Sequence, residues 1–165
     1  MKPALLVIDV QAAFFKLSSK TEQSLHAAIG YINAAISLFR EKELPVVCIQ
    51  HMDEKEKLLP GEDGFETPER LAVLPTDLHI HKTYENAFNK TALGEKLREL
   101  EVDTVIITGF CAEYCVLSTY RGAENLDFAP IILRGSLASE TPENITFVEN
   151  INEIISYGAL KKLLE

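Results

Sequence analysis

The sequence predicts an α/β protein, a three-layer α/β/α sandwich around a parallel sheet of five to six strands. Short apolar runs rich in β-branched residues alternate along the chain with longer segments whose apolar residues recur at helical spacing. Strands that are apolar on both faces are typical of a parallel sheet covered by helices on each side. The chain has 165 residues, of which 47% are hydrophobic. This fits a single domain, residues 1–165, with a sizeable core.

The first half of the chain supplies three strands and one long helix. Ala4–Val10 reads as a buried strand, and Thr21–Lys42 as a helix with one apolar face. Pro45–Gln50 and Leu78–His81 are the next two strands. Between them Met52–Pro68 carries charges, glycines and prolines, which indicates either an active-site loop or a contact between subunits.

The second half continues the alternation. A helix beginning near Thr91 leads to a buried strand that contains Val105, Ile106 and Ile107, and the chain then breaks at Gly109 and turns into another helix. The remaining predicted elements are a strand at Pro130–Leu133, a helix at Pro142–Asn150, a short strand at Glu153–Ile155 and a closing helix at Ala159–Leu163.

Three chemically complementary residues each follow a strand. Asp9 ends the first strand, Lys82 follows the third, and Cys115 lies beyond the strand that contains Val105–Ile107. Right-handed crossovers bring the carboxyl ends of parallel strands to one edge of the sheet, where ligands bind in open α/β folds. We therefore expect the three side chains to meet. The alternative for Asp9 alone is a helix cap or a solvated loop residue.

Cys115 is the candidate nucleophile. A strand, a turn that starts at Gly109 and a helix surround it, as in a nucleophile elbow, although the G-x-S-x-G motif is absent. Backbone N–H groups and the dipole at a helix N-terminus favour a thiolate and can hold an oxyanion. Against this, most free cysteines are buried and act as small hydrophobes. We interpret Cys48, inside an apolar strand, in that second way.

Five further residues are candidates for substrate binding because they lie near the same edge. His51 ends the second strand, where it either contacts substrate or caps the strand. The aromatic candidates either form the wall of a pocket or belong to the core. The set is Gln11, Phe14, His51, Tyr84 and Phe88.

Composition restricts the possible partners. The net charge is -9, and the sequence has no basic stripe for nucleic acid. No apolar run approaches the roughly 20 residues needed to span a bilayer, and MKPALLVIDV does not read as a signal peptide. The odd number of cysteines, at spacings atypical of zinc sites, indicates a reducing, cytoplasmic setting. We expect a small-molecule substrate and no cofactor.

Four segments together resemble the isochorismatase-like cysteine hydrolases, the superfamily that includes nicotinamidases and carbamoylsarcosine-type amidases. They are LLVIDVQAAFF, VVCIQH, HKTYENAFNKTAL and VIITGFCAEYCVLSTYRGA, and the match covers nearly the whole chain. The resemblance implies the isochorismatase-like hydrolase fold and an assembly into homodimers or homotetramers.

The resemblance also assigns roles to residues. It implies a catalytic triad of Asp9, Lys82 and Cys115 that hydrolyses a small amide or related C–N compound through an acyl-enzyme. The backbone N–H groups of Cys111 or Ala112 and of Cys115 would form the oxyanion hole. The peptide bond between Phe110 and Cys111 is expected to be cis.

The sequence departs from the family pattern at several positions. Ala112 stands where a threonine is common and Gly135 where an aspartate is common, and the closing segment lacks a histidine. The metal-binding D-x-H…H set of nicotinamidases is not matched, because the region after the second strand has a single histidine. We therefore predict no metal site and no nicotinamidase activity. The cysteine argues against isochorismate hydrolysis as well.

Two other functions remain open at this stage. Cys111 and Cys115 form a C-x-x-x-C pair, which is a weak redox signal compared with C-x-x-C. Alternatively the chain is a catalytically silent member of the same fold, a reading that the altered positions Ala112 and Gly135 suggest.

Overall fold

The computed structural model describes all 165 residues, and its six strands form one entirely parallel sheet in the order β3-β2-β1-β4-β5-β6. The predicted fold class is confirmed. The strands are β1 (Pro3–Ile8), β2 (Val46–His51), β3 (Leu78–Lys82), β4 (Thr104–Gly109), β5 (Ala129–Leu137) and β6 (Ile154–Ile155). The helices are α1 (Ser19–Glu41), α2 (Leu93–Glu99), α3 (Leu117–Asn125), α4 (Glu143–Asn150) and α5 (Tyr157–Leu163).

Helices cover both faces of the sheet. Strands β1 and β4 occupy its middle and are buried along their whole length, as their unbroken apolar sequences predict. On one face, α1 packs its apolar stripe against β1 and β4, with Leu160 of α5 beside it. On the other face, α2, α3 and α4 contribute residues such as Leu97, Tyr120 and Val148 to a second cluster. Helix α1 begins with a cap, because Ser18 Oγ accepts a hydrogen bond from the Thr21 N–H.

The strand register places the carboxyl ends at one edge. Ile8, the last residue of β1, is level with Ile49 of β2 on one side and with Gly109 of β4 on the other. On the neighbouring strand pair, His51 is the register partner of Lys82. The residues that follow these positions therefore emerge together, as the sequence predicted.

Strand β5 is longer than Pro130–Leu133. It continues to Leu137 because the register shifts between Ile107 and Gly109, so that Leu137 pairs with Gly109. Gly135 within it has a φ of +85°, and a Cβ there would crowd the ring of Tyr31. The polar and glycine residues in this stretch hid the strand in the sequence, since its pattern is no longer continuously apolar.

The segment after β2 contains no helix and pairs only through an isolated bridge between Asp53 and Leu58. It folds back against the chain that follows β1, where the N–H of Ala13 donates to the Gly64 carbonyl. The side chain of Phe65 is buried, and the backbone carbonyl of Phe65 accepts a hydrogen bond from Gln50 Nε2. The helices are individually too short or too polar to cross a membrane.

We expect Gly109→Ala to destabilise the protein strongly. Gly109 has a φ of +115°, and a Cβ would overlap the backbone of Ile8 on the adjacent strand. The free energy of unfolding, measured by urea titration, should fall by more than about 3 kcal/mol.

Gly30→Ala is the matched control. Gly30 lies on the exposed side of α1, and a Cβ there meets nothing within 4 Å. This variant should be more stable than the wild type by about 0.5–1 kcal/mol, because alanine restricts the unfolded chain. Equal effects at the two positions would contradict the account given for Gly109.

Candidate active site

A buried ammonium group lies at the centre of the candidate site. Lys82 Nζ is 2.8 Å from Asp9 Oδ2, 3.0 Å from His51 Nδ1 and 3.3 Å from Cys115 Sγ. The side chain of Lys82 is fully buried. An ammonium has three N–H donors and no acceptor, so these three contacts use all of its hydrogen-bonding capacity. The structure thus brings together the three residues predicted to meet, with His51 as a fourth.

Asp9 reaches this ammonium through an unusual backbone conformation. It directly follows β1, its N–H donates to the Ile49 carbonyl, and its φ is +52°. Aspartate is among the few residues that tolerate the left-handed region. Its side chain is buried, and Oδ1 has no hydrogen-bond partner. One carboxylate oxygen therefore pairs with Lys82, and the other is left as an open proton acceptor.

The turn after β4 presents Cys115. Gly109 ends the strand, and the peptide bond between Phe110 and Cys111 is cis, which confirms that prediction. Ala112–Val116 then forms a single π-helical turn that runs directly into α3. Cys115 belongs to this first turn and is only partly buried, whereas Cys48 and Cys111 are buried. A carboxylate oxygen of Asp9, a ring nitrogen of His51 and Cys115 Sγ all lie within 4.8 Å of one another.

Burial is the largest influence on the pKa values of Asp9 and Cys115. It raises the pKa of the Asp9 carboxyl above its usual range, although the Lys82 ammonium opposes the shift. Burial likewise raises the pKa of the Cys115 thiol to about 12; the Asp9 carboxylate adds to this, and Lys82 works against it. Burial therefore works against the thiolate that a helix N-terminus would favour. A thiol with a raised pKa thus lies beside a carboxyl group whose pKa is also raised.

The backbone donors of the turn are not equivalent. The Ala112 N–H donates to the Ala138 carbonyl at 2.9 Å, so it is already engaged. The Cys111 N–H has no acceptor within the protein. Of the two alternatives left open by the sequence, only the Cys111 N–H lacks a partner, and its part in an oxyanion hole stays a prediction. The carbonyl of Cys111 accepts from Tyr114 and Val116, which fixes the plane of the turn.

Gln11 has a different role from the one predicted. Its Oε1 accepts from the His51 N–H at 2.8 Å, and its Nε2 donates to the His51 carbonyl at 3.0 Å. The side chain is fully buried. Both ends of the amide therefore hold the backbone of His51, and the side chain has no exposed surface for a substrate to contact.

The three aromatic candidates are dispersed. Phe14 lies near the site and packs on Phe110, with ring centroids 5.0 Å apart. Tyr84 is 42% exposed, and its hydroxyl accepts from Lys90 Nζ. Phe88 stacks on Phe128, the residue that precedes β5, and so belongs to the core at the opposite edge of the sheet. Only Phe14 borders a cleft next to the site.

That cleft has a volume of about 390 Å³ and includes His51 in its wall. The chain after β1 supplies one side, and the bridge region after β2 supplies the other. Its lining consists of Ala13, Phe14, Leu17, His51, Asp53, Glu56 and Leu58. A small organic molecule fits a space of this size beside the ammonium cluster.

The same cluster contains ligand atoms of the kind that bind metals. Asp9, His51 and Cys115 each offer one such atom. Lys82 Nζ, however, contacts all three residues, so its positive charge occupies the position that a bound cation would take. A metal ion would have to displace a buried lysine side chain from between its ligands.

Sequence reasoning missed a polar network behind the turn. Glu113 accepts hydrogen bonds from Ser139 Oγ and Asn144 Nδ2, and the Cys111 thiol donates to it. Burial opposes ionisation of Glu113, but these hydrogen bonds outweigh it and hold its pKa below the usual range. Burial also raises the pKa of Cys111 to about 11. A charged residue between two cysteines in an otherwise apolar segment was the available signal.

Comparison with known proteins shows the family of the chain. The family model for the isochorismatase domain matches residues 3–154. YrdC of Bacillus subtilis (strain 168), described as an uncharacterized isochorismatase family protein, is 33% identical over 140 residues, covering 84% of this chain and 74% of its own. A streptothricin hydrolase of Streptomyces noursei is 29% identical over 130 residues, which is 73% of this chain and 48% of the relative.

Solved structures show the same fold. An isochorismatase-like hydrolase from Alkaliphilus metalliredigens superposes with a TM-score of 0.88 at 24% identity, with both chains covered completely. The N-carbamoylsarcosine amidase of Thermoplasma acidophilum gives a TM-score of 0.81 at 24% identity, over 94% of this chain and 96% of its own.

We expect Cys115 to be the first of the three cysteines to react with iodoacetamide under native conditions. It is the only one that is not buried, and it has both a proton acceptor and a cation beside it. Mass mapping of the labelled peptides is the measurement. Faster labelling of Cys48 or Cys111 would contradict the site.

Lys82→Met should slow the alkylation of Cys115, because the thiolate loses the adjacent ammonium. Lys96→Met, which alters an exposed lysine on α2, is the control and should react like the wild type. An unchanged rate in Lys82→Met would show that the ammonium does not assist the sulfur.

Proposed function

The chain belongs to the isochorismatase family of hydrolases, and on that premise we propose that it is a cysteine hydrolase of small amides or related C–N compounds. Asp9, Lys82 and Cys115 are its catalytic triad. The observation that carries the proposal is the buried Lys82 ammonium, in contact with a carboxylate and a thiol. This pairing supplies a base, a nucleophile and a charge that stabilises the thiolate.

The first step is the activation of the thiol. Asp9 Oδ1, which has no hydrogen-bond partner, accepts the proton of Cys115. Its raised pKa makes this transfer less unfavourable than it would be to an ordinary carboxylate. Lys82 stays protonated and compensates for the negative charge as it moves from oxygen to sulfur.

The second step forms the acyl-enzyme. The thiolate adds to the carbonyl carbon of the substrate, and the π electrons move to the carbonyl oxygen. The N–H of Cys111, with that of Cys115, binds this oxyanion; losing one such donor typically costs about 3–4 kcal/mol of barrier. Protonated Asp9 gives its proton to the nitrogen, the C–N bond breaks with its electrons going to nitrogen, and the amine leaves.

Water completes the cycle. The Asp9 carboxylate takes a proton from water while the oxygen adds to the thioester carbon. The C–S bond then breaks, the sulfur regains its proton from Asp9, and the acid product leaves. No redox partner is needed, and both Cys111 and Cys115 are free thiols.

The direct test is a panel of small amides, ureas and hydroxamates that includes N-carbamoylsarcosine. Any substrate turned over by the wild type should lose at least about a thousandfold in kcat/KM in Cys115→Ala, because the nucleophile is gone. Cys48→Ala, inside β2, is the matched control and should retain turnover. Turnover that survives Cys115→Ala would refute the mechanism, and no turnover of any compound would favour a catalytically silent protein.

The pH dependence tests the base. Asp9 must be ionised to accept the proton, so kcat/KM falls as the pH drops through its pKa. Because burial raises that pKa, the acid limb should lie above the ordinary aspartate value of about 3.9. Asp9→Asn should remove the activity. A limb at or below the ordinary value would contradict Asp9 as the base.

We also propose that the chain forms a homodimer or larger assembly. Tyr114, next to the nucleophile, is 54% exposed, and Phe147 on α4 is 57% exposed. Asn144 of α4 donates a hydrogen bond to Glu113, so both exposed rings lie on elements that are joined at the turn that carries Cys115. Sedimentation equilibrium at micromolar concentration should give at least twice the mass of one chain, and the mass of a single chain would refute the assembly.

The three free cysteines support a cytoplasmic location.

A further inference from the structure

We propose that His51 is the residue that donates a hydrogen bond to the substrate, from Nε2–H, and that Lys82 fixes it in this role. The proposal rests on the proposed function, because it assigns a recognition group to the same site. It goes further by stating which chemistry the substrate presents there: a neutral hydrogen-bond acceptor such as a carbonyl oxygen.

The contact with Lys82 determines the tautomer. Lys82 Nζ lies 3.0 Å from His51 Nδ1, and an ammonium can only donate. Nδ1 must therefore be the unprotonated nitrogen, so the single proton of a neutral ring is carried by Nε2. With Nδ1 occupied and Nε2 protonated, the imidazole has no free lone pair. It can act as a donor and cannot act as a base.

The surroundings of the ring keep it neutral. Burial lowers the pKa of His51, and the Lys82 ammonium lowers it further. The carboxylates of Asp9, Asp53 and Glu85 work in the other direction without reversing the shift. A second proton would place another positive charge beside Lys82, with Nδ1 no longer able to accept.

The ring is also held in place. Gln11 bonds both the N–H and the carbonyl of His51, and the register of β2 and β3 sets His51 opposite Lys82. A donor fixed in this way loses little conformational entropy when a ligand binds. His51 is thus prepared for one interaction in one direction.

The donor has no other partner. Nε2 of His51 makes no hydrogen bond to the protein, while His51 borders the 390 Å³ cleft and a second space of about 330 Å³ that reaches Thr83. No lysine or arginine takes part in lining the larger cleft. His51 therefore offers, from the border of both spaces, a neutral side-chain N–H that has no partner within the protein.

The test compares two alkylating reagents at Cys115. Iodoacetamide carries an amide carbonyl that can accept from His51, whereas iodomethane carries no acceptor. The ratio of their rate constants, measured by mass mapping, cancels any change in the reactivity of the sulfur. His51→Asn keeps an acceptor near Lys82 but loses the Nε2–H donor. His51→Gln keeps an N–H donor near the position of the histidine Nε2.

The rate constant for iodoacetamide divided by that for iodomethane should fall about tenfold in His51→Asn, as for the loss of one hydrogen bond of about 1.4 kcal/mol. In His51→Gln the same ratio should fall less than about threefold. His79→Asn, on the amino end of β3, should leave it unchanged. A ratio that stays the same in His51→Asn, or falls equally in both variants, would overturn the donor role.

The tautomer can be tested on the wild-type protein, so the result does not depend on whether a variant folds. Two-bond ¹H–¹⁵N correlation spectra of the wild type at pH 7 should show His51 protonated at Nε2 alone, with His51→Asn serving only to assign the signal. Protonation at Nδ1, or at both nitrogens, would overturn the proposal. Neither measurement requires hydrolysis, so a failed substrate panel would remove the hydrolase function and leave this inference to be judged separately.

Discussion

The Lys82 ammonium imposes the strongest constraint on this structure. A buried charge is expensive unless every one of its donors is satisfied and opposite charge is close by. Asp9, His51 and Cys115 meet that requirement with three short contacts from three different parts of the chain. Each of those parts must be held accurately, because a partner that moved away would leave a charge unpaired in the core.

The sheet provides most of that accuracy. Pairing of β2 with β3 sets His51 beside Lys82. Pairing of β1 with β2 sets Ile8, the last residue of β1, level with Ile49, which lies two residues before His51. Two left-handed backbone positions then bend the chain at this edge: Asp9 turns its carboxylate toward the ammonium, and Gly109 allows β4 to pass close to Ile8. Parallel strands and special conformations together concentrate the reactive groups where ligands bind in such folds.

The turn that carries Cys115 is supported from its other side as well. Glu113 links Cys111 to Ser139 and Asn144, while the Ala112 N–H is bonded to Ala138. These bonds attach the turn to the end of β5 and to α4. They leave the Cys111 N–H without a partner, whereas the Ala112 N–H is engaged.

The sequence by itself determined the fold class and the meeting of Asp9, Lys82 and Cys115, because apolar periodicity identifies strands and parallel strands share one carboxyl edge. The resemblance to a family added the cis bond before Cys111. Only the tertiary structure decided that Gln11 holds His51, that Phe88 stacks in the core on Phe128, and that β5 continues through Gly135. It also decided that burial raises the pKa of the Cys115 thiol. These features depend on distances, burial and hydrogen bonds between residues far apart in the chain, which local residue patterns do not encode.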